Sequence, residues 1–319
     1  MYRREWDCVM IQEGGKNYRY SSRGPVVVIG DLHGHYPGLV SILRHTGLVG
    51  EDLRWSGGEA TLVQIGDLFG RGDEGKHCCE LLMNLETQAS EFGGRVITLL
   101  GNHEAMATHF HLRYITTAEM ANFVTAPPER QDPQTAFIEA VSNASALGRW
   151  LRTRPAAVMV NDDLFVHGGL EWDWARMGMA WINSQVHEDM AEEVVYRSLG
   201  PTSPLTSRTG PLWNRRLITS ASSSGAGEDI EMTLAALDAR SMIVGHTPSQ
   251  TVTEDGQRMI VSKYGGRLIG VDVGIHPLFG GTYGWLEIDG DRMVGRSMPS
   301  PHQAELEPLP PDLMDELTV

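Results

Sequence analysis

Cysteine is nearly absent from this chain: Cys8, Cys78 and Cys79 are the only three in 319 residues. An odd count with two sequence neighbours excludes a disulfide framework and suits a reducing compartment. Positive charge is scarce too. The 26 Lys and Arg face 41 Asp and Glu, a formal net charge of −15 at pH 7. No basic stripe is long enough to track a phosphate backbone, so no nucleic-acid partner is expected. No apolar run approaches the roughly 20 residues of a membrane-spanning helix, and the N-terminal MYRREWDCVM lacks the apolar core of a signal peptide. The expectation is a cytoplasmic protein without membrane contact, unless a targeting segment has been trimmed away. What is present is ordinary for a soluble globular chain, 41% hydrophobic and 21% charged residues, long enough for one large domain or two modest ones with ample core.

No internal repeat is visible, but one local pattern recurs: a β-rich apolar run ends abruptly in a polar cluster. Residues 26–29 lead into Gly30-Asp31-Leu32-His33-Gly34, 61–65 into Gly66-Asp67, and 96–100 into Gly101-Asn102-His103-Glu104. Residues 164–166 lead into His167-Gly168-Gly169, 242–244 into Gly245-His246-Thr247, and 268–271 end in Asp272-Val273-Gly274. Helical stretches at 38–46 and 75–92 lie between the first runs, and this alternation predicts an α/β architecture with some parallel sheet. From Glu104 to Pro155 the chain reads as mostly helical, broken at Ala126-Pro127-Pro128 and Asp132-Pro133, as in a cap over a site. Residues 219–229 (TSASSSGAGED) predict a mobile surface loop, and the acidic, Pro-rich end predicts disorder. The expected organisation is an N-terminal extension (1–24), a catalytic domain (25–298) with a helical cap insert at about 105–155, and a tail (299–319).

Side chains just beyond the carboxyl ends of α/β strands gather at one edge, where ligands bind. Five such ends present Asp31, His33, Asp67, Asn102, His167 and His246, with His103 beside them. Oxygen and imidazole donors without thiolates suit Mn²⁺, Fe or Zn²⁺. Any one of these histidines, taken singly, reads better as an ordinary core or surface residue. Five glycine-flanked strand ends together read as a metal centre.

In chain order, GDLHGH, GDLFGRGD, LLGNHE, FVHGGL and VGHTP resemble the motif set of the calcineurin-like metallophosphoesterases, and GNHE with HGG resembles the phosphoprotein phosphatase branch. LGRWLRTRP, VNDDLFVHGGL, GPLWNRR, GHTPSQ and VDVG are similar to the bacterial-like Shewanella-like protein phosphatases. The resemblance covers roughly residues 25–290 and implies the calcineurin-like metallophosphoesterase sandwich, α/β with two mixed β-sheets flanked by helices. It also implies two divalent metal ions (Mn, Fe or Zn). The first would take Asp31, His33 and Asp67; Asp67 would bridge to a second held by Asn102, His167 and His246. The implied activity is that of a metal-dependent phosphomonoesterase, a protein phosphatase acting on a phosphoprotein or phosphopeptide. A hydroxide activated by both metals would attack phosphorus in line. His103 would protonate the leaving oxygen, while Arg71, Arg215 and Asn102 would bind the phosphate; Arg216 is a neighbouring candidate.

One departure stands out. Where the family has Asp-Arg-Gly, this chain has Gly70-Arg71-Gly72, so the aspartate that holds the acid histidine is missing. Three readings stay open. Asp73 or another carboxylate from the helical block replaces it; or His103 acts unaided, which favours phosphotyrosine over phosphoserine or phosphothreonine; or the chain is a low-activity phospho-ligand-binding module. A nucleotide or diadenosine-polyphosphate hydrolase is the rival among enzymes, because related families share the metal motifs. Among lesser features, His35 reads as a rim residue or extra ligand, and His109 and His111 as surface or lid residues. Cys78 and Cys79 read as helix core, and Glu104 as a carboxylate favoured at a helix N-terminus. Asp272 reads as a second support for a ligand histidine or a turn former. Trp172, Trp174 and Trp181 with Met177 and Met179 read as a packed helix or a cleft wall.

Overall fold

The computed structural model describes residues 18–299, apart from 128, 129, 193, 222 and 223. The expected tail, save residue 299, and most of the expected N-terminal extension lie outside the described residues. The strands are β1 (Arg19–Tyr20), β2 (Val26–Ile29), β3 (Thr61–Gln64), β4 (Arg95–Thr98), β5 (Ala157–Val160), β6 (Asp163–Val166), β7 (Ser241–Val244), β8 (Val261–Lys263), β9 (Leu268–Gly270), β10 (Thr282–Asp289) and β11 (Arg292–Pro299). They form two mixed sheets, ordered β11-β10-β2-β3-β4 and β1-β5-β6-β7-β9-β8. Parallel pairing joins β2 to β3 and β3 to β4 in the first sheet, and β6 to β7 and β7 to β9 in the second.

The sheets face each other, and strand periodicity shows why the apolar runs are continuous. Val26, Val28, Val63, Phe165 and Ile243 meet in the layer between the sheets. Their neighbours in sequence point the other way: Val27, Ile29 and Leu62 pack under helices α1 (Tyr36–His45) and α2 (Gly75–Glu91). A strand covered on both faces must be apolar at every position, which is the pattern of 26–29 and 242–244.

The helical block comprises α3 (Asn102–Thr108), α4 (Thr117–Ala121), α5 (Pro133–Val141) and α6 (Ala146–Arg152). Asp132-Pro133, read from sequence as a break, instead starts α5. The Asp132 carboxylate caps the Thr135 amide, and proline occupies the first turn, where its missing N–H costs nothing. Beyond β6 come α7 (Trp172–Ala175), α8 (Met179–Ala191), α9 (Arg216–Thr219) and α10 (Ala226–Leu237). The surface loop expected at 219–229 is therefore shorter. Helix α10 begins inside it, with Glu228 and Asp229 in its first turn, where acidic groups oppose the helix dipole favourably. Residues 19–20, placed by sequence in an extension, add an edge strand to the second sheet beside β5.

Candidate metal centre and active site

The parallel strands β2, β3 and β4 end side by side, and across the seam between the sheets β6 and β7 end opposite them. Asp31, Asp67, Asn102, His167 and His246 all follow these ends, and all five are buried. Hydrogen bonds lace the seam. The Asp31 carboxylate accepts from the His246 amide at 3.0 and 3.1 Å, and His167 Nδ1 donates to the Ile65 carbonyl at 2.9 Å. Backbone geometry is forced as well: His33, Asp67, Arg71 and His246 have φ of 48°, 55°, 78° and 64°. Four non-glycine residues in the left-handed region is a concentration of strain of the kind functional sites carry.

The ligand-capable atoms form two groups that share one residue. Those of His33, Asp67 and His103 lie within 4.8 Å of one another, as do those of Asp67, His167 and His246. Asp31 borders the first group, its Oδ2 lying 3.8 Å from His33 Nε2. Asn102 borders the second, its Oδ1 lying 3.0 Å from His167 Nε2.

These residues fit divalent cations. With its Nδ1 proton given to Ile65, a neutral His167 turns a lone pair at Nε2 toward Asn102 Oδ1 and, at 3.4 Å, Asp67 Oδ1. Three converging lone pairs need positive charge between them. The surroundings favour such charge: burial disfavours the imidazolium, but Asp67 and Asp31 outweigh burial and raise His167 to about 9. The same holds for the carboxylates. Burial, with Asp272 and Asp67 nearby, drives Asp31 well above its ordinary range. Burial also pushes Asp67 up, but His103 and His167 overcome it and hold Asp67 well below. His33 Nδ1 and His246 Nε2 are buried with no hydrogen-bond partner. Burial keeps both rings well below the usual histidine range, in the neutral form that binds metal.

Glu104 contributes more than a favourable helix charge. Its carboxylate accepts from four backbone amides, those of Asp67 (2.9 Å), Leu68 (2.7 Å), Phe69 (3.2 Å) and Gly101 (3.0 Å). It thus caps α3 and clamps the loop after β3 to it. Burial, reinforced by Asp67, raises its pKa to about 7 despite these donors. Gly101 is required here, because a Cβ would collide with the Asp67 amide and carboxylate.

His103, the second residue of α3, is buried and its amide donates to Asp67 Oδ1 at 3.0 Å. Its Nδ1 donates to the Phe69 carbonyl at 2.8 Å, and its Nε2 lies 3.8 Å from Asp67 Oδ2. Asp73 does not reach it; that carboxylate accepts from the Thr116 hydroxyl at 2.6 Å. Gly70 has φ +80°, and a Cβ there would stand 2.6 Å from His103 Nδ1. The imidazole therefore occupies the room a side chain at 70 would need. Tyr114 stacks on His103 with centroids 4.6 Å apart, and the Arg71 guanidinium lies 4.1 Å over the same phenol ring. Arg215 Nη1 donates to the His246 carbonyl at 2.7 Å and to Thr247 Oγ1 at 3.3 Å, at the rim of the second metal group. Arg216 points away, paired with Glu171 and Asp229.

Other expectations are corrected. His35 is buried, not at a rim, and its Nε2 meets the Tyr283 hydroxyl at 2.9 Å. His109 is buried too and ties α3 to α8, with Nδ1 at 2.8 Å from the Ala105 carbonyl and Nε2 at 3.1 Å from that of Asp189. Of the two readings of Asp272, the turn former is the one a hydrogen bond bears out: its Oδ1 accepts from the Gly274 amide at 2.9 Å. Trp172, Met177 and Trp181 are exposed, while Met179 is buried. Sequence reasoning missed Tyr114, Phe69 and Glu119: Phe69 acts through its backbone carbonyl, Tyr114 stands in no recognisable motif, and Glu119 reads only as part of a helix cap.

The chain matches the model of the calcineurin-like phosphoesterase family over residues 24–250. Shewanella-like protein phosphatase 1 of Plasmodium berghei is 29% identical over 229 residues, 70% of this chain and 61% of that protein. Shewanella-like protein phosphatase 2 of Arabidopsis thaliana is 27% identical over 203 residues, 53% of this chain and 52% of that one. This chain therefore spans less than two thirds of either relative. Among solved structures, the cold-active protein-tyrosine phosphatase of a psychrophilic Shewanella species has a TM-score of 0.73 at 22% identity, over 88% of this chain and 82% of that chain. That likeness is one of fold.

Proposed function

The chain belongs to the calcineurin-like phosphoesterase family, and from that premise we propose that it is a metal-dependent phosphomonoesterase acting on phosphoproteins, with phosphotyrosine favoured over phosphoserine and phosphothreonine. His103 carries this reading. Its Nδ1 proton goes to a neutral carbonyl rather than a carboxylate, and burial lowers its pKa. An imidazole so held is a poor reservoir of protons at Nε2. A phenol, with a pKa near 10, leaves with far less help than an aliphatic alcohol.

Asp31, His33 and Asp67 on one side, and Asp67, Asn102, His167 and His246 on the other, would hold two divalent cations, with Mn, Fe or Zn suited to such donors. Bound there, the pair supplies positive charge for the phosphate oxygens and lowers the pKa of water. The chain's own residues do the rest. Arg71, steadied on Tyr114, and Arg215, anchored at 246–247, offer planar N–H pairs to phosphate oxygens, with the Asn102 amide as a further contact. As water oxygen bonds to phosphorus and releases a proton to solvent, the ester bond breaks, and His103, protonated at both ring nitrogens, gives its Nε2 proton to the leaving oxygen while Nδ1–H stays on the Phe69 carbonyl. A reducing, cytoplasmic setting is supported by Cys78 and Cys79, buried and unpaired in α2. Among the described residues no helix is long and apolar enough to cross a membrane.

Phosphate release from matched phosphotyrosine and phosphoserine peptides tests the proposal, with Mn²⁺-loaded protein and Asp67→Asn as control. The expected result is faster release from phosphotyrosine, lost in Asp67→Asn. Faster cleavage of diadenosine tetraphosphate than of either peptide would identify a nucleotide hydrolase instead. Tight phosphopeptide binding without release would identify a binding module.

A further inference from the structure

We propose that Glu119, on α4 of the helical block, replaces the missing aspartate at one remove, holding His103 through the peptide group between Phe69 and Gly70. The proposal rests on the phosphatase reading above, since it assigns Glu119 a positioning role for the acid His103.

Both ends of that peptide group are engaged. Its carbonyl, on Phe69, accepts from His103 Nδ1 at 2.8 Å, and its N–H, on Gly70, donates to Glu119 Oε2 at 2.9 Å. The group is planar and rigid, so displacing one end displaces the other. Hydrogen bonds in series also polarise one another. A carboxyl drawing on the Gly70 N–H shifts electron density toward the Phe69 oxygen, which tightens its hold on the Nδ1 proton. The ring is thereby held in one orientation that also suits the form protonated at both nitrogens, with the Nε2 proton turned to the substrate side. A direct carboxylate has no place here, because a side chain at 70 would begin 2.6 Å from Nδ1. The peptide fills that space, and the carboxyl stands behind it.

Glu119 is built for this task. It is fully buried, and its other oxygen, Oε1, accepts from the Gly75 amide at 3.2 Å. Its own amide donates to Thr116 Oγ1 at 2.9 Å, so the backbone is fixed at the start of α4. The surrounding strap is tied to the same loop. Arg71 N donates to the Tyr114 carbonyl at 2.8 Å, and Asn122 Nδ2 donates to the Asp73 carbonyl at 2.6 Å. Residues 114–122 thus grip 70–75 along its length, and Glu119 grips the peptide group to which His103 is bonded.

The test compares wild type, Glu119→Gln, Glu119→Asp and Asn122→Ala in the full chain loaded with Mn²⁺. Substrates are p-nitrophenyl phosphate, whose leaving group needs no proton, and a phosphoserine peptide, whose leaving group does. In Glu119→Gln, kcat/KM for phosphoserine falls about 10-fold or more, part of the roughly 10²–10⁴-fold a positioned acid contributes. For p-nitrophenyl phosphate it changes less than about threefold, and KM stays near wild type for both. Asn122→Ala, which removes the bond from Asn122 Nδ2 to the Asp73 carbonyl, loosens the strap without touching the relay and lowers both substrates in proportion. Glu119→Asp, which withdraws the carboxyl by one methylene, gives the Glu119→Gln ordering at smaller amplitude and decides the matter if Gln does not fold. Independently of activity, proton NMR of the metal-free proteins reads the His103 Nδ1–H, whose resonance moves upfield in both Glu119 variants. Equal losses on the two substrates, or an unmoved resonance, would overturn the proposal. If wild type releases phosphate from nothing, the phosphatase reading falls, and the resonance still decides whether the relay exists.

Discussion

Restoring the family's aspartate by Gly70→Asp looks from sequence like a gain-of-function experiment; the structure predicts the reverse. Position 70 has φ +80°, and the first side-chain carbon would lie 2.6 Å from His103 Nδ1 and 3.0 Å from the Tyr114 carbonyl. Holding a non-glycine residue in the left-handed region costs about 1–2 kcal/mol. Forcing an extra carbon into a packed site adds roughly 1–3 kcal/mol. The sum, about 2–5 kcal/mol, is a large share of the 5–15 kcal/mol that typically holds a domain together. Gly70→Ala, with the same first carbon and no charge, separates the steric effect from the electrostatic one. Urea unfolding should show both variants destabilised by similar amounts. With His103 pushed off the Phe69 carbonyl, phosphate release from a phosphoserine peptide should fall in both, and p-nitrophenyl phosphate should suffer less. Wild-type stability together with faster phosphoserine turnover in Gly70→Asp would refute the reasoning, because it would mean that His103 can swing to accept a direct carboxylate partner.

Glu104→Gln should destabilise by roughly 2–6 kcal/mol in urea unfolding, since either amide orientation turns an NH₂ toward two buried N–H groups at about 1–3 kcal/mol each; a change under 1 kcal/mol would show the clamp to be dispensable. Asp67 belongs to both ligand groups, so Asp67→Asn should reduce bound metal at both sites in elemental analysis, and full metal content would contradict the shared role. Chelation should lower the melting temperature of wild type, because removing a ligand that binds only the folded state withdraws its stabilisation; an unchanged melting point would count against a metal centre in this cluster. His276 gives a pH test: burial depresses it from 6.5 to about 4, with Arg71 opposing its charge and Asp73 favouring it. The unfolded chain therefore binds the proton that the folded one refuses, and stability is fully present above pH 6.5 and lost as pH falls toward 4. The amount is about 3 kcal/mol, and His276→Asn, which keeps an acceptor for the Leu278 amide, should flatten that part of the stability–pH curve.

The strands of the central parallel pairs and the residues at their ends were legible in the sequence alone. A strand buried on both faces must be apolar throughout, and a ligand at its carboxyl end must interrupt that run, so Asp31, Asp67, Asn102, His167 and His246 are visible as breaks. Edge strands β1 and β11 left no such mark, because edge strands are not bound to continuous apolar runs, and β10, between β11 and β2, breaks its run at Thr282, Gly284 and Glu287. The environment of His103 was beyond sequence for a different reason. Its partner is a backbone carbonyl, which every residue possesses, and the carboxyl behind that carbonyl comes from a residue 49 positions away. Thr116-x-x-Glu119 even misleads, since it spells a capping box whose glutamate should turn back on its own helix. Only the packing of α4 against the loop after β3 sends that side chain to Gly70 and Gly75 instead. Local spacing determines which atoms can bind metal; which carboxyl stands behind the acid is decided by a contact between two segments that nothing but the tertiary fold brings together.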